Sequence, residues 1–191
     1  MERLGGTDGN EILTSGAAVV LTLLLAAEGI TILRMGGLRT EHMFIGMLLI
    51  GPLLLKLGST GYRFARYYTG ARPYREKGPP LLPLRLLAPI LVLTTIAVFV
   101  TGIALMVVGH KSGTILLVHK VSFIVWGACF AIHFLSYLPR VLRSLRADWG
   151  AARRTAVPGS GARGALVAVS LGGGATLALA VLPLINGYTR H

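Results

Sequence analysis

Imidazole nitrogens are good ligands for iron. This chain carries two of them, His119 and His133, 14 residues apart in one apolar stretch. A second apolar stretch repeats the interval with His42 and Lys56. In a helix of about 3.6 residues per turn, 14 steps fall within roughly 40° of a whole number of turns, so each pair shares a face. At about 1.5 Å per residue the two members sit roughly 21 Å apart along the axis. Two helices carrying matched residues at two depths can clamp two flat metal cofactors between them, one near each membrane surface.

A six-coordinate haem needs one ligand on each face, and each depth supplies two. The outer level is His42 with His119, and the inner level is Lys56 with His133. A four-helix arrangement leaves an apolar slot wide enough for a porphyrin. Between the ligand levels the shared faces hold Ile45, Gly46, Leu49 and Leu53 on one helix, and Ser122, Phe123, Trp126 and Phe130 on the other. Trp126 falls midway between the histidines; it fits ordinary helix packing, in which its indole N–H needs a partner. Gly46 and Gly127 allow a macrocycle to approach the backbone. Propionates require cations near the surfaces: Arg39, Lys111 and Lys120 at the outer end, Arg63, Arg66 and Arg140 at the inner end.

Lys56 stands where the pattern wants histidine, and it has three readings. As a neutral amine it ligates the inner iron opposite His133. As a cation it snorkels to the inner surface, about two turns away. In the third reading it pairs with a propionate or holds an otherwise empty site. The chain has fifteen arginines and only four lysines. A lysine at this position is suggestive, because an amine can give up its proton on burial and a guanidinium cannot.

With these residues the chain resembles the membrane-embedded b-type cytochromes: the di-haem cytochrome b of the quinol–cytochrome c oxidoreductases and the cytochrome b subunits of membrane dehydrogenases. In the former, two helices each carry two histidines at about the same spacing as here. The matching positions are His42, Lys56, His119 and His133, and the resemblance spans residues 40–140, with Lys56 as its departure. The run KLGSTGYRFARYYTG, Lys56 to Gly70, also looks like a group of small bacterial membrane cytochromes. The resemblance implies two stacked b-type haems and electron transfer linked to a quinone pool, with a separate redox enzyme or a second copy of the chain as possible partners. Two other classes compete with it. One is a quinone- or superoxide-reactive membrane oxidoreductase with an open-faced haem. The other is a haem-free scaffold or transporter subunit in which the histidines pack and relay protons.

The elements that must position these residues are legible in composition. Of 191 residues, 53% are hydrophobic, and the mean hydropathy is +0.69, which points to a membrane protein. Five apolar segments can each cross about 30 Å of hydrocarbon, which takes roughly 20 residues. They are expected at about 12–32, 41–62, 84–108, 114–138 and 165–184. Nothing alternates with period two, so the fold class is an all-α membrane protein of five transmembrane helices, with contact to membrane lipid over most of its surface. The pieces between spans are too short to form a soluble domain.

Net charge is +12, concentrated in the second loop (Arg63, Arg66, Arg72, Arg75, Lys77, Arg85) and the fourth (Arg140, Arg143, Arg146, Arg153, Arg154, Arg163). By the positive-inside rule these loops and the amino terminus are expected to be cytoplasmic, and the resemblance implies a bacterial inner membrane. The second and fourth helices are then parallel. The sequence Gly78-Pro79-Pro80 with Pro83 is expected to form a stiff turn before the third span. The run from Pro139 to Trp149 is expected to be an amphipathic tail lying on the surface, followed by a linker at Gly159-Ser160-Gly161. Gly172-Gly173-Gly174 gives the fifth span small residues for close packing.

Other chemistries find little support. The basic aromatic tract Tyr62 to Tyr68 abuts a span, so no nucleic-acid partner is expected. A lone cysteine, Cys129, excludes an intrachain disulfide, a cysteine zinc site and covalent c-type haem attachment. A zinc or iron hydrolase would need its ligands at one depth rather than two. Glu28, near the outer end of the first span, is expected to pair with Arg34 or Lys120; in a functional role it would accept a quinol proton. His110 and His191 lie at span ends and are read as hydrogen-bonding residues.

Overall fold

A computed structural model describes residues 4–79, 81–108, 112–148 and 157–189. Among them the chain is helical and has no strand: α1 (Gly6–Leu33), α2 (Arg39–Tyr68), α3 (Arg72–Glu76), α4 (Leu82–Val108), α5 (Gly113–Asp148), α6 (Ser160–Ala180) and α7 (Leu182–Thr189). Five helices are long and apolar enough to cross a membrane, namely α1, α2, α4, the Gly113–Pro139 part of α5, and α6. The protein is an all-α, multi-pass membrane protein.

The first four expected spans fall inside these helices, but the helix ends differ. α1 begins at Gly6 and α2 continues to Tyr68, so Arg63 and Arg66 sit on the last turns of α2 rather than in a loop. Hydropathy marks where a helix meets hydrocarbon, whereas the backbone hydrogen bonds carry it on into the polar region. Pro83 does not precede α4. It lies in the first turn of that helix, where a missing N–H is harmless. The backbone also runs helically through Pro139 to Asp148, with no break before the basic tail. The fifth span is shifted: α6 covers Ser160–Ala180, a turn falls at Val181, and α7 follows with Pro183 in its first turn. Trp149, Arg153, Arg154, His110, Lys111 and His191, and the side chains of Arg140, Arg143 and Arg146, lie outside the described residues.

The chain divides into two compact units, Met1–Pro79 with Arg140–Ala180, and Pro80–Pro139 with Val181–His191. In the first, α1 and α2 are antiparallel. Thr14 Oγ1 meets Ser59 Oγ at 2.9 Å near one end, and Glu28 meets His42 near the other. The core of this unit is Leu13, Ala17, Leu21, Met47, Leu49 and Ala178.

α6 lies against α2 backbone to backbone. A Cβ on Gly174 would collide with the carbonyl of Leu48, and a Cβ on Gly51 with that of Ser170. Pro52, inside α2 and fully buried, explains why this carbonyl is available. Proline has no N–H to return to the carbonyl four residues earlier, which is that of Leu48. In lipid a freed carbonyl must be satisfied by a neighbouring helix, and close glycine contacts serve that need.

Arg163 fixes the start of α6. Its guanidinium donates to the carbonyls of Leu4 at 2.8 Å, Pro158 at 2.7 Å and Val157 at 3.3 Å. Lys77 ties the segment after α3 to α1, donating to Asp8 at 2.6 Å and Glu11 at 2.9 Å. Partial burial alone would lower the Lys77 pKa, but the bonds to Asp8 and then Glu11 outweigh it and hold the ammonium above the ordinary lysine range. A pKa raised on folding means that this tie is fully formed below the unfolded value of about 10.4 and weakens only as pH rises beyond it. Lys77→Ala is therefore expected to cost about 1 kcal/mol or less at pH 7, with the difference from wild type fading above about pH 11. Denaturation followed by circular dichroism at the two pH values checks this.

In the second unit α4 and the first part of α5 are antiparallel, and α7 packs on α4. Ile185 of α7 is fully buried, and Leu105 and Met106 of α4 are buried. Ser112 caps α5, its hydroxyl accepting from the Ile115 N–H at 3.4 Å.

Candidate functional site

His42 is in the first turn of α2, because that helix starts at Arg39. Its Nδ1 lies 2.9 Å from Glu28 Oε1 and 3.1 Å from Thr31 Oγ1, both on α1. Glu28 and Thr31 are buried. The hydroxyl proton of Thr31 is committed to the Glu28 carbonyl at 2.6 Å. Toward His42, therefore, both Thr31 Oγ1 and the carboxylate act as acceptors, and Nδ1 must carry the ring proton. In the neutral ring the lone pair is then on Nε2. Glu28 was expected to pair with Arg34 or Lys120; it pairs with His42 instead, while Arg34 is exposed. Gly46 lies one turn further along α2, and a Cβ there would sit 3.6 Å from Glu28 Oε1.

The second unit repeats the device at His119. Its Nδ1 lies 2.9 Å from Thr101 Oγ1 on α4. Thr101 donates its own proton back to the Ala97 carbonyl at 2.6 Å, so it accepts from His119 and again fixes the proton on Nδ1. A Cβ on Gly102 would be 3.2 Å from the His119 ring, which explains the small residue there. Trp126 finds the partner that its N–H needs: it donates to Thr95 Oγ1 at 3.0 Å, and Thr95 donates back to the Leu91 carbonyl at 2.6 Å.

Three threonines thus work alike. Each returns its proton to its own helix and offers an oxygen to a ring N–H on the next. Sequence reasoning singled out none of them. Their one signal was an isolated hydroxyl in an apolar span, and nothing in that signal names the partner.

The face of α5 between its histidines is a ladder of rings. Phe123 and Trp126 have centroids 5.8 Å apart, Trp126 and Phe130 4.9 Å, and Phe130 and Phe134 5.7 Å. His133 lies beside Tyr137, centroids 4.7 Å apart. Gly127 has open space where a Cβ would point, and Lys120 is exposed.

Lys56 is part-buried and turns its amine to α1, donating to the Thr14 carbonyl at 3.4 Å. It sits in a polar seam. Asn10 donates to the Ser59 carbonyl at 3.2 Å, Thr14 meets Ser59, and Ser59 donates to the Lys56 carbonyl at 3.0 Å. Asn10 is 1% exposed.

His42 and Lys56 belong to the first unit, His119 and His133 to the second. The structure brings Glu28, Thr31, His42 and Gly46 together in one, and Thr101 and His119 in the other. Arg63 is half-buried and Arg66 exposed, both on the last turns of α2, while Arg39 is its first residue. Among the described residues no group of three or more His, Cys, Asp or Glu gathers as a metal cage. No protein-family model, no curated protein and no solved structure matches the chain.

Proposed function

We propose that the protein is a b-type cytochrome, an electron carrier of the membrane linked to the quinone pool. On this reading, as the resemblance implies, His42 of α2 and His119 of α5 would each supply an imidazole nitrogen to haem iron. What supports this reading is the common state of the two rings. Each gives its Nδ1 proton to an acceptor on a neighbouring helix, so that its lone pair is on Nε2. Histidines that bind metals almost always donate the other ring N–H in this way. Each ring taken singly has the chemistry of an iron ligand.

When bound, haem b carries single electrons by cycling between its ferric and ferrous states. The work of the chain is positional. Glu28 and Thr31 hold the His42 ring, Thr101 holds the His119 ring, and the apolar spans keep water away. Glu28 also places a carboxylate against His42, which raises the electron-donating power of that ligand. Arg39 and Lys120 are the cations assigned to the propionates.

On the same reading Lys56, whose amine donates to the Thr14 carbonyl at 3.4 Å, and His133 would each offer a nitrogen to a second haem. The excess of Arg and Lys in the second and fourth loops supports an amino terminus on the cytoplasmic side, and the resemblance supports a bacterial inner membrane.

A reduced-minus-oxidised spectrum with pyridine haemochrome quantification tests the proposal. Two haems b per chain are expected. A count of one removes the Lys56–His133 level. A colourless protein without a Soret band sinks the whole reading.

A further inference from the structure

The end of α2 that holds Arg63 and Arg66 carries a surface for which the haem reading uses only these cations and not the rings beside them. Beyond Tyr62 the helix continues for nearly two turns, and these turns hold Arg63, Phe64, Arg66 and Tyr68. Phe64 and Tyr68 are one turn apart on the helix, with ring centroids 4.5 Å apart. They are nevertheless 64% and 57% exposed. The chain then reverses at Gly70, whose φ of +83° is a left-handed conformation that suits glycine. The turn is closed by the Ala71 N–H donating to the Arg66 carbonyl at 3.0 Å. α3 folds back so that Tyr74 meets Tyr62 edge to face, centroids 5.9 Å apart. Burial, and then the Tyr62 phenol, raises the Tyr74 pKa above the usual tyrosine range, while Arg66 acts on the same phenol in the opposite sense. Arg66 and the α3 residues therefore share one neighbourhood.

Three of the four arginines here make no ion pair among the described residues: Arg63, Arg66 and Arg75. The fourth, Arg72, is taken by Glu76 at 2.8 Å, and nearby Lys77 is taken by Asp8 and Glu11. The end of the helix thus presents unpaired guanidinium groups on the side of α3 and an exposed aromatic pair on its other side, both immediately after a span.

We propose that this ledge, Arg63, Phe64, Arg66, Tyr68 and Arg75, is a binding site for the headgroup of an anionic phospholipid. The position selects the occupant. Where a span ends, exposed rings sit at headgroup depth, and the planar fork of arginine matches phosphate oxygens two at a time. Juxtamembrane cations act on anionic lipid over about one Debye length, so the attraction weakens with salt. A soluble acidic partner would be drawn by the same charges, but it gives no reason for an exposed Phe64–Tyr68 pair at the edge of the bilayer. The inference does not rest on the haem reading: lipid retention and haem content are separate readouts, and Arg75, Phe64 and Tyr68 have no part in haem binding.

The test is native mass spectrometry of the full chain ejected from nanodiscs of phosphatidylcholine containing phosphatidylglycerol. Wild type is expected to retain phosphatidylglycerol over phosphatidylcholine, and to lose it as salt rises. At about fivefold for each arginine, the R63Q/R66Q/R75Q variant should retain it ~100-fold less. R63K/R66K/R75K should recover part of the loss. Circular dichroism and gel filtration establish that the variants fold; should the triple variant not fold, R75Q alone and the salt series on wild type decide. Equal retention of the two lipids by wild type, or undiminished preference in the folded glutamine variant, overturns the proposal. So does binding of a poly-glutamate peptide by wild type without any preference for the anionic lipid.

Discussion

On the proposed haem reading, His119→Ala is expected to remove one of two haems, halving the haem content per chain and abolishing one set of low-spin absorption bands. His42→Ala is expected to do the same, because a bis-ligated iron loses its spectrum with either partner. The size of the effect follows from the kind of interaction. A ligand is part of the coordination shell, whereas a residue acting through it only orients it. Thr101→Val removes the acceptor that fixes the His119 proton on Nδ1, and Glu28→Gln weakens the one at His42. Changes of this class cost roughly 10–100-fold in metal affinity, so these variants should keep the bands at saturating haem and lose them on dilution. Exogenous imidazole supplied together with haem should restore low-spin absorption to His119→Ala, since it replaces the missing nitrogen and not the missing packing. A merely structural histidine would give no such rescue. If both alanine variants keep the wild-type spectrum and haem ratio, neither histidine is a ligand.

These residues also mark what the sequence makes legible. Periodicity alone puts His119 and His133 on one face of one helix, and the ring ladder from Phe123 to Phe134 runs along that helix with the expected spacing. Hydropathy alone counts the spans, because lipid imposes a length and a composition on each. The partners of the histidines are different. Which face of α1 meets α2 depends on how both helices pack. The sequence therefore leaves Glu28 equally free to pair with Arg34, with Lys120 or with His42. The same holds for Thr31, Thr95 and Thr101. A hydroxyl in an apolar helix satisfies itself against its own backbone, so its composition carries no sign of the ring it supports. Helix ends are poorly legible for another reason. The polar turns that follow a span, such as Arg63 to Tyr68, look like loop to any measure based on lipid, although nothing in them breaks a helix.

The second large effect is expected at Gly174, and its neighbours are the control. Three consecutive glycines, Gly172, Gly173 and Gly174, are equivalent in the sequence. In the structure only Gly174 is buried, against the backbone of Leu48, while a Cβ on Gly172 or Gly173 would meet nothing within 4 Å. Gly174→Ala must therefore push α6 away from α2. Overpacking of a tight contact costs about 1–3 kcal/mol, and here the displaced group is backbone rather than a flexible side chain, which places the cost toward the upper end. The separation would also expose the Leu48 carbonyl, which Pro52 has already deprived of its helical donor, and an unsatisfied polar group in hydrocarbon adds further cost. Gly174→Leu should prevent assembly of the first unit altogether. Gly172→Ala and Gly173→Ala should be neutral or stabilising by up to about 1 kcal/mol, since alanine removes the backbone freedom that glycine brings to a helix. Unfolding in a detergent titration ranks the four variants. Equal midpoints for Gly172→Ala and Gly174→Ala would mean that α2 and α6 do not meet at the Leu48 carbonyl. Pro52→Ala sharpens the comparison: by returning an N–H to Leu48 it should soften the penalty at Gly174, so that the double variant loses less than the sum of the two single changes.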